Sequence, residues 1–78
     1  MAQICAAVNT PFIPEVGSFI VQCSAGAVAL GRSAVTGGPY TDCGQITANS
    51  SFIVDNPVAG AEYRFTTISG TPVVRADQ

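Results

Sequence analysis

The sequence predicts an all-β protein, a small antiparallel sandwich or barrel of six or seven strands with two related hairpins. Three observations carry this. No segment sustains apolar residues at i, i+3, i+4 and i+7, as a packed helix requires. Eight Gly and five Pro punctuate short runs rich in Val, Ile and Thr, the pattern of strands joined by turns. The tetrapeptide Ser-Phe-Ile-Val occurs at 18–21 and again at 51–54, each copy followed closely by Ala-Gly-Ala. With 78 residues the chain forms one domain, 1–78.

Taken in order, residues 1–8 read as a first strand through Ile4, Ala6 and Val8. Residues 9–17, with Pro11 and Pro14, read as an extended arm or crossing loop, because proline cannot donate to a ladder. Ser24-Ala25-Gly26 lies between two apolar runs and reads as a bulged turn, giving a hairpin of 18–23 with 27–35. Alternation then places Phe19, Val21, Ala27 and Ala29 on one face and Ile20, Gln22, Val28 and Leu30 on the other. Both faces are largely apolar, and only one can point into the chain's own core.

A loop from Thr36 to about Gly44 leads to the second copy, where Pro57-Val58-Ala59-Gly60 replaces the shorter turn. A hairpin of 51–56 with 61–68 follows, and Ser69-Gly70 reads as a two-residue turn into a last strand at 71–76. That register puts Phe52, Val54, Tyr63, Phe65, Val74 and Ala76 on one face. Asp55, Glu62, Arg64, Arg75 and Asp77 gather on the other as a charged surface, with diagonal Arg64–Asp77 and Arg75–Glu62 contacts. The second hairpin has a dry side and a wet side. The first lacks a wet side, so Ile20, Gln22, Val28 and Leu30, with Phe12 and Ile13 of the arm, are the candidate interface with another chain.

A core of this size supplies little net stability, so disulfides, a metal or association must supplement it. Cys5, Cys23 and Cys43 are odd in number, and nothing before them reads as a signal peptide, so they are expected to be buried free thiols. There is no His, the Cys spacing does not suit zinc, and the acids form no calcium loop; no metal or cofactor is expected. Lys is absent and three Arg oppose five acids, for a net charge of −2, which excludes a basic patch for nucleic acid or an anionic membrane. The uncharged stretch 16–31 is too short and too polar to span a bilayer. Association with other chains is the remaining source.

The same inventory argues against catalysis. Without His or Lys, a nucleophile has no ordinary base, and Asp42 beside Cys43 would make the thiol less reactive. No catalytic residue is expected. Tyr40, Asp42, Asn49 and Asn56 could line a sugar site on the loops, so a receptor- or carbohydrate-binding module is the alternative reading, although two Tyr and no Trp make a poor aromatic platform.

The stretch from Asp55-Asn56-Pro57-Val58-Ala59-Gly60-Ala61-Glu62-Tyr63-Arg64-Phe65 through Ser69-Gly70-Thr71-Pro72-Val73-Val74-Arg75-Ala76-Asp77, in a Lys-free apolar β chain that opens with Met, resembles small virion structural proteins of tailed bacteriophages. Capsid decoration, or cement, proteins are the nearest class. The resemblance covers roughly residues 50–78 and implies a homo-oligomer, often a trimer, bound where major capsid protein subunits meet. It implies a protein assembled in the host cytoplasm and located in the virion, as part of the head or of a head or tail fibre.

Overall fold

In the computed structural model, which describes residues 2–78, five strands form one antiparallel sheet: β1 (Gln3–Cys5), β2 (Gly17–Ser33), β3 (Thr41–Thr47), β4 (Ser50–Asn56) and β5 (Glu62–Asp77). The all-β class predicted from the sequence is what the chain adopts. Strand β2 is central: β5 follows one side from Ile20 to Ser33, while β4 and then β3 occupy the other. Those two lie end to end, separated by a short interruption at Asn49, which takes a positive φ of 63°. Asn tolerates that conformation better than most residues.

The two predicted hairpins are not formed. Ser24-Ala25-Gly26 is not a turn, and β2 runs straight through it with register shifts between Cys23 and Val28. Likewise Ser69-Gly70 lies inside β5, and β4 pairs with β2 instead of with β5. The glycines explain the difference. Gly26 and Gly70 both have φ near +70°, and a Cβ placed on Gly70 would sit 3.3 Å from the Gly26 Cα. Their conformational freedom bends two adjacent strands together rather than reversing each one. Within the predicted 36–44 loop, β3 begins at Thr41, and of the predicted first strand only 3–5 are extended pairs; its Met1 end lies outside the described residues.

The bend is obligatory. Asn56 pairs with Gly17 and Glu62 pairs with Ser33, yet only residues 57–61 join them. Five residues reach at most roughly 20 Å, whereas β2 laid straight would separate its ends by about 53 Å. The sheet therefore doubles over, and its halves face one another. Phe19, Val21 and Cys23 project inward from the first half of β2, and Val28 and Leu30 from the second. They meet Ile46, Tyr63, Phe65, Val74 and Ala76, with Phe52 and Val54 packed against the cluster. The predicted dry face, Phe52 to Ala76, is thus interior, although its residues are brought together by folding over and not by the predicted pairing.

The arm seals the open side. Phe12 pairs with Tyr63 through two backbone hydrogen bonds of 2.9 and 2.8 Å, and its ring lies 5.5 Å from that of Phe65. Residues 9–16 thereby lie along their own β5 and core.

Candidate functional site

The predicted interface residues divide sharply. Val28 and Leu30 are fully buried and Phe12 is nearly so, whereas Ile13 and Gln22 are exposed and Ile20 is half-buried. The second apolar face of the predicted first hairpin does not exist. The irregular stretch at 24–27 shifts the alternation by one, so Val28 and Leu30 join Phe19 and Val21 inside.

Exposed apolar side chains lie elsewhere, in three places. Ile13, Val16, Val35 and Val58 belong to the segments flanking the two ends of β2 and to the loop that connects them. The Asn56 side chain ties the 13–16 segment to the ends of β4 and β5: its Nδ2 donates to the carbonyls of Pro14 (3.3 Å) and Glu15 (3.1 Å), and its Oδ1 accepts from Tyr63 Oη (3.3 Å). Ile68 and Val73 lie near the bend. Ile53 stands on the outer face of β4, the most exposed large apolar residue among the described residues, at 67 %. The sequence points to Ile13 but not to Val16, Val35 and Val58; the available signal is that Val16 precedes Gly17 and Val58 follows Pro57 at strand ends, and Val35 carries none.

The charged residues are not one surface. Asp77 is buried and accepts from Arg75 Nε at 2.7 Å, within one strand, beside Ile20. Glu62 is buried at the other end of β5, where it accepts from the Tyr40 hydroxyl and from Gly37 N (3.4 Å). Arg64 stacks its guanidinium 4.2 Å from the Tyr40 ring centroid. Asp55 stands exposed on β4, apart from Arg75, which is exposed on β5. The predicted Arg64–Asp77 and Arg75–Glu62 diagonals required a turn at Ser69-Gly70 and do not form.

Tyr40 is consequently occupied. Its hydroxyl bond to Glu62, and the negative charge there, push its pKa up, with Arg64 opposing. Burial likewise raises Tyr63, against the pull of Arg32. Asp42 lines a shallow depression with Arg32, Thr41 and Cys43, while Asn49 lines a separate one with Gln22, Ser24, Ser51, Val73 and Arg75. Asn56 is buried. The four polar residues of the sugar-site alternative therefore do not converge.

All three cysteines are free thiols. Cys5 and Cys23 are buried as expected, but Cys43 is exposed because it follows the register shift opposite Leu30 and Gly31. Its Sγ donates to the Leu30 carbonyl at 3.3 Å, and partial burial, reinforced by Asp42, raises its pKa against the influence of Arg32. Among the described residues no three His, Cys, Asp or Glu side chains cluster as a metal site. No family model, curated protein or solved structure matches the chain.

Proposed function

We propose that this protein is a non-enzymatic structural component that docks onto subunits of a larger assembly, in the manner of a phage capsid decoration protein. The doubled-over sheet would serve as the small sandwich read from the sequence, its halves standing in for two sheets. The observation that carries the reading is the placement of Ile13, Val16, Val35 and Val58, all 39–60 % exposed, at the end where the strands close. Four large apolar side chains are displayed on the segments at this end, of which 13–16 is held to Asn56 through Pro14 and Glu15, and apolar side chains gathered on a surface mark protein interaction sites. The resemblance of residues 50–78 to virion proteins supplies the kind of partner: a major capsid or other virion protein, in the particle.

The carbohydrate-binding alternative is weaker, because Tyr40 is committed to Glu62 and Arg64 and no cleft gathers its polar companions. Peptide mapping of purified virions from the source tests the proposal. The chain should be present in a fixed ratio to the major shell protein, and Val16→Asp with Val58→Asp should remove it from particles while leaving it folded. Particles without the chain would refute the reading.

A further inference from the structure

The two edges of the sheet are treated differently. On the β5 side, residues 2–12 cover the edge at both ends: Ala2 and Gln78 exchange bonds of 2.8 and 2.9 Å, Asn9 N donates to Phe65 O at 2.7 Å, and Phe12 pairs with Tyr63. Between these, Pro72 and the positive-φ Gly70 break the edge. On the opposite side β4 pairs only with β2 and has no outer neighbour among the described residues. Its register with β2 is unbroken over seven residue pairs, from Gly17–Asn56 to Cys23–Ser50. It contains no Lys, Arg or Pro, the residues that ordinarily keep an exposed edge from pairing.

The sequence of this edge is symmetric in kind. Ser50-Ser51-Phe52-Ile53-Val54-Asp55-Asn56 has two polar residues, three apolar residues and two polar residues, centred on Ile53. We infer that β4 pairs antiparallel with β4 of a second copy about a two-fold axis at Ile53, joining two sheets into one. This deepens the docking reading above, and it rests on the resemblance to decoration proteins for the expectation that the chain meets its own copies.

In that register Ile53 faces its own counterpart, removing from water an apolar side chain that is 67 % exposed in the single chain. On the inner face each half-buried Phe52 lies across from a Val54, extending the core packing both residues already make. On the outer face each Ser51 lies across from an Asp55, so a hydroxyl donor meets the carboxylate and no two like charges are opposed. Asp55, the one charge on the strand, thus acts as a register key, because shifting the two-fold by one residue, to Asp55 against Ile53, would leave the carboxylate facing an apolar side chain. One seven-residue strand pair is a small interface, so the dimer should be concentration-dependent and of modest affinity.

Sedimentation equilibrium of the pure chain, with substitutions at the exposed positions 51 and 55, tests this. The unaltered protein should pass from monomer to dimer with concentration. Ser51→Asp, which sets two pairs of carboxylates against each other, should weaken the dimer by about tenfold or more. Ser51→Lys should strengthen it, and Ser51→Asp combined with Asp55→Lys should restore it. Ile53→Cys in a Cys43→Ser background should give a covalent dimer with oxidised glutathione, since residues facing across a strand pair lie within disulfide reach. A chain monomeric at all concentrations, a trimer, or a dimer indifferent to position 51 would overturn the inference. If such a chain were still found in fixed ratio in virions, the docking reading would survive alone; a dimer meeting these expectations but absent from particles would leave this inference without it.

Discussion

The ring of Phe19 meets the ring of Tyr63 edge-on at 5.0 Å, although Phe19 lies near the start of β2 and Tyr63 pairs with Arg32 near its end. Twelve residues of strand lie between Phe19 and Arg32, so this contact exists only because the sheet doubles over. Phe12 completes the group, 5.9 Å from Phe19 and 6.0 Å from Tyr63. Phe19→Ala removes the ring that holds the halves together, at a cost of about 3–5 kcal/mol. Since a domain of this length has only about 4–12 kcal/mol in total, the variant should be largely unfolded or melt far below the parent. A thermal melt followed by circular dichroism checks this, and a loss of under about 1 kcal/mol would mean that the halves are not packed as described.

Tyr63 offers a finer probe of the same junction. Tyr63→Phe keeps the ring stack but leaves Asn56 Oδ1 without its donor in a site that is 1 % exposed. The expected loss is about 1–3 kcal/mol, read as a shift in urea midpoint with unchanged m-value. Asn56→Ala should cost more, since it also frees the carbonyls of Pro14 and Glu15 and loosens the arm.

The bend depends on Gly26 more than on any other glycine. A Cβ there would lie 2.9 Å from both Pro72 Cα and the Ser69 carbonyl oxygen, in a backbone with φ of +69°. Gly60, with φ of +82°, has open space around it. Gly60→Ala should therefore cost only the backbone strain of about 1–2 kcal/mol, while Gly26→Ala adds a clash against main chain that cannot rotate away. Comparing the two melting temperatures isolates the clash, and equal losses would place the bend elsewhere.

That bend is also where the sequence was least legible. The class and the inward set of Phe52, Val54, Tyr63, Phe65, Val74 and Ala76 are readable from alternation and composition. Gly26 and Gly70 read as hairpin turns because Ala-Gly-Ala and Ser-Gly between apolar runs reverse a chain as readily as they bulge a strand; local residues do not distinguish the two. Only the pairing of one glycine against the other decides it, and that is a non-local fact. A turn at 26 would invert the alternation of every later residue in β2, which is why Val28 and Leu30 read as partner-facing and lie in the core. Leu30→Asp would accordingly unfold the chain rather than free it from an assembly.

Tyr40 should titrate abnormally. Its neutral form is favoured by the hydrogen bond to Glu62 and by the nearby negative charge, so the folded pKa lies above the ordinary 10.0. The sign follows directly: the stabilisation is fully present below pH 10 and is lost as pH rises through the folded value. In a Tyr63→Phe background, tyrosinate absorbance should appear later than in a free tyrosine. Glu62→Ala should return it toward 10.0, whereas Arg64→Ala, which removes the opposing cation, should raise it further. Movement of both variants in one direction would contradict the assigned contacts.

Cys43 should be accessible yet sluggish. It is the exposed thiol of the three, so alkylation of the folded protein should label it before Cys5 and Cys23. Its pKa is nevertheless above the ordinary 9.0, chiefly through partial burial against β2, and with Asp42 beside it little thiolate exists near neutrality. The iodoacetamide rate should therefore be well below that of a free cysteine at pH 7 and climb steeply beyond pH 9. Asp42→Asn removes a negative neighbour and should speed the reaction, and Arg32→Ala removes a positive one and should slow it, because the two act on the same thiolate with opposite sign. A rate at pH 7 equal to that of free cysteine would mean that the sulfur is neither shielded by the strand nor held to the Leu30 carbonyl, and would place Cys43 outside the register observed between β2 and β3.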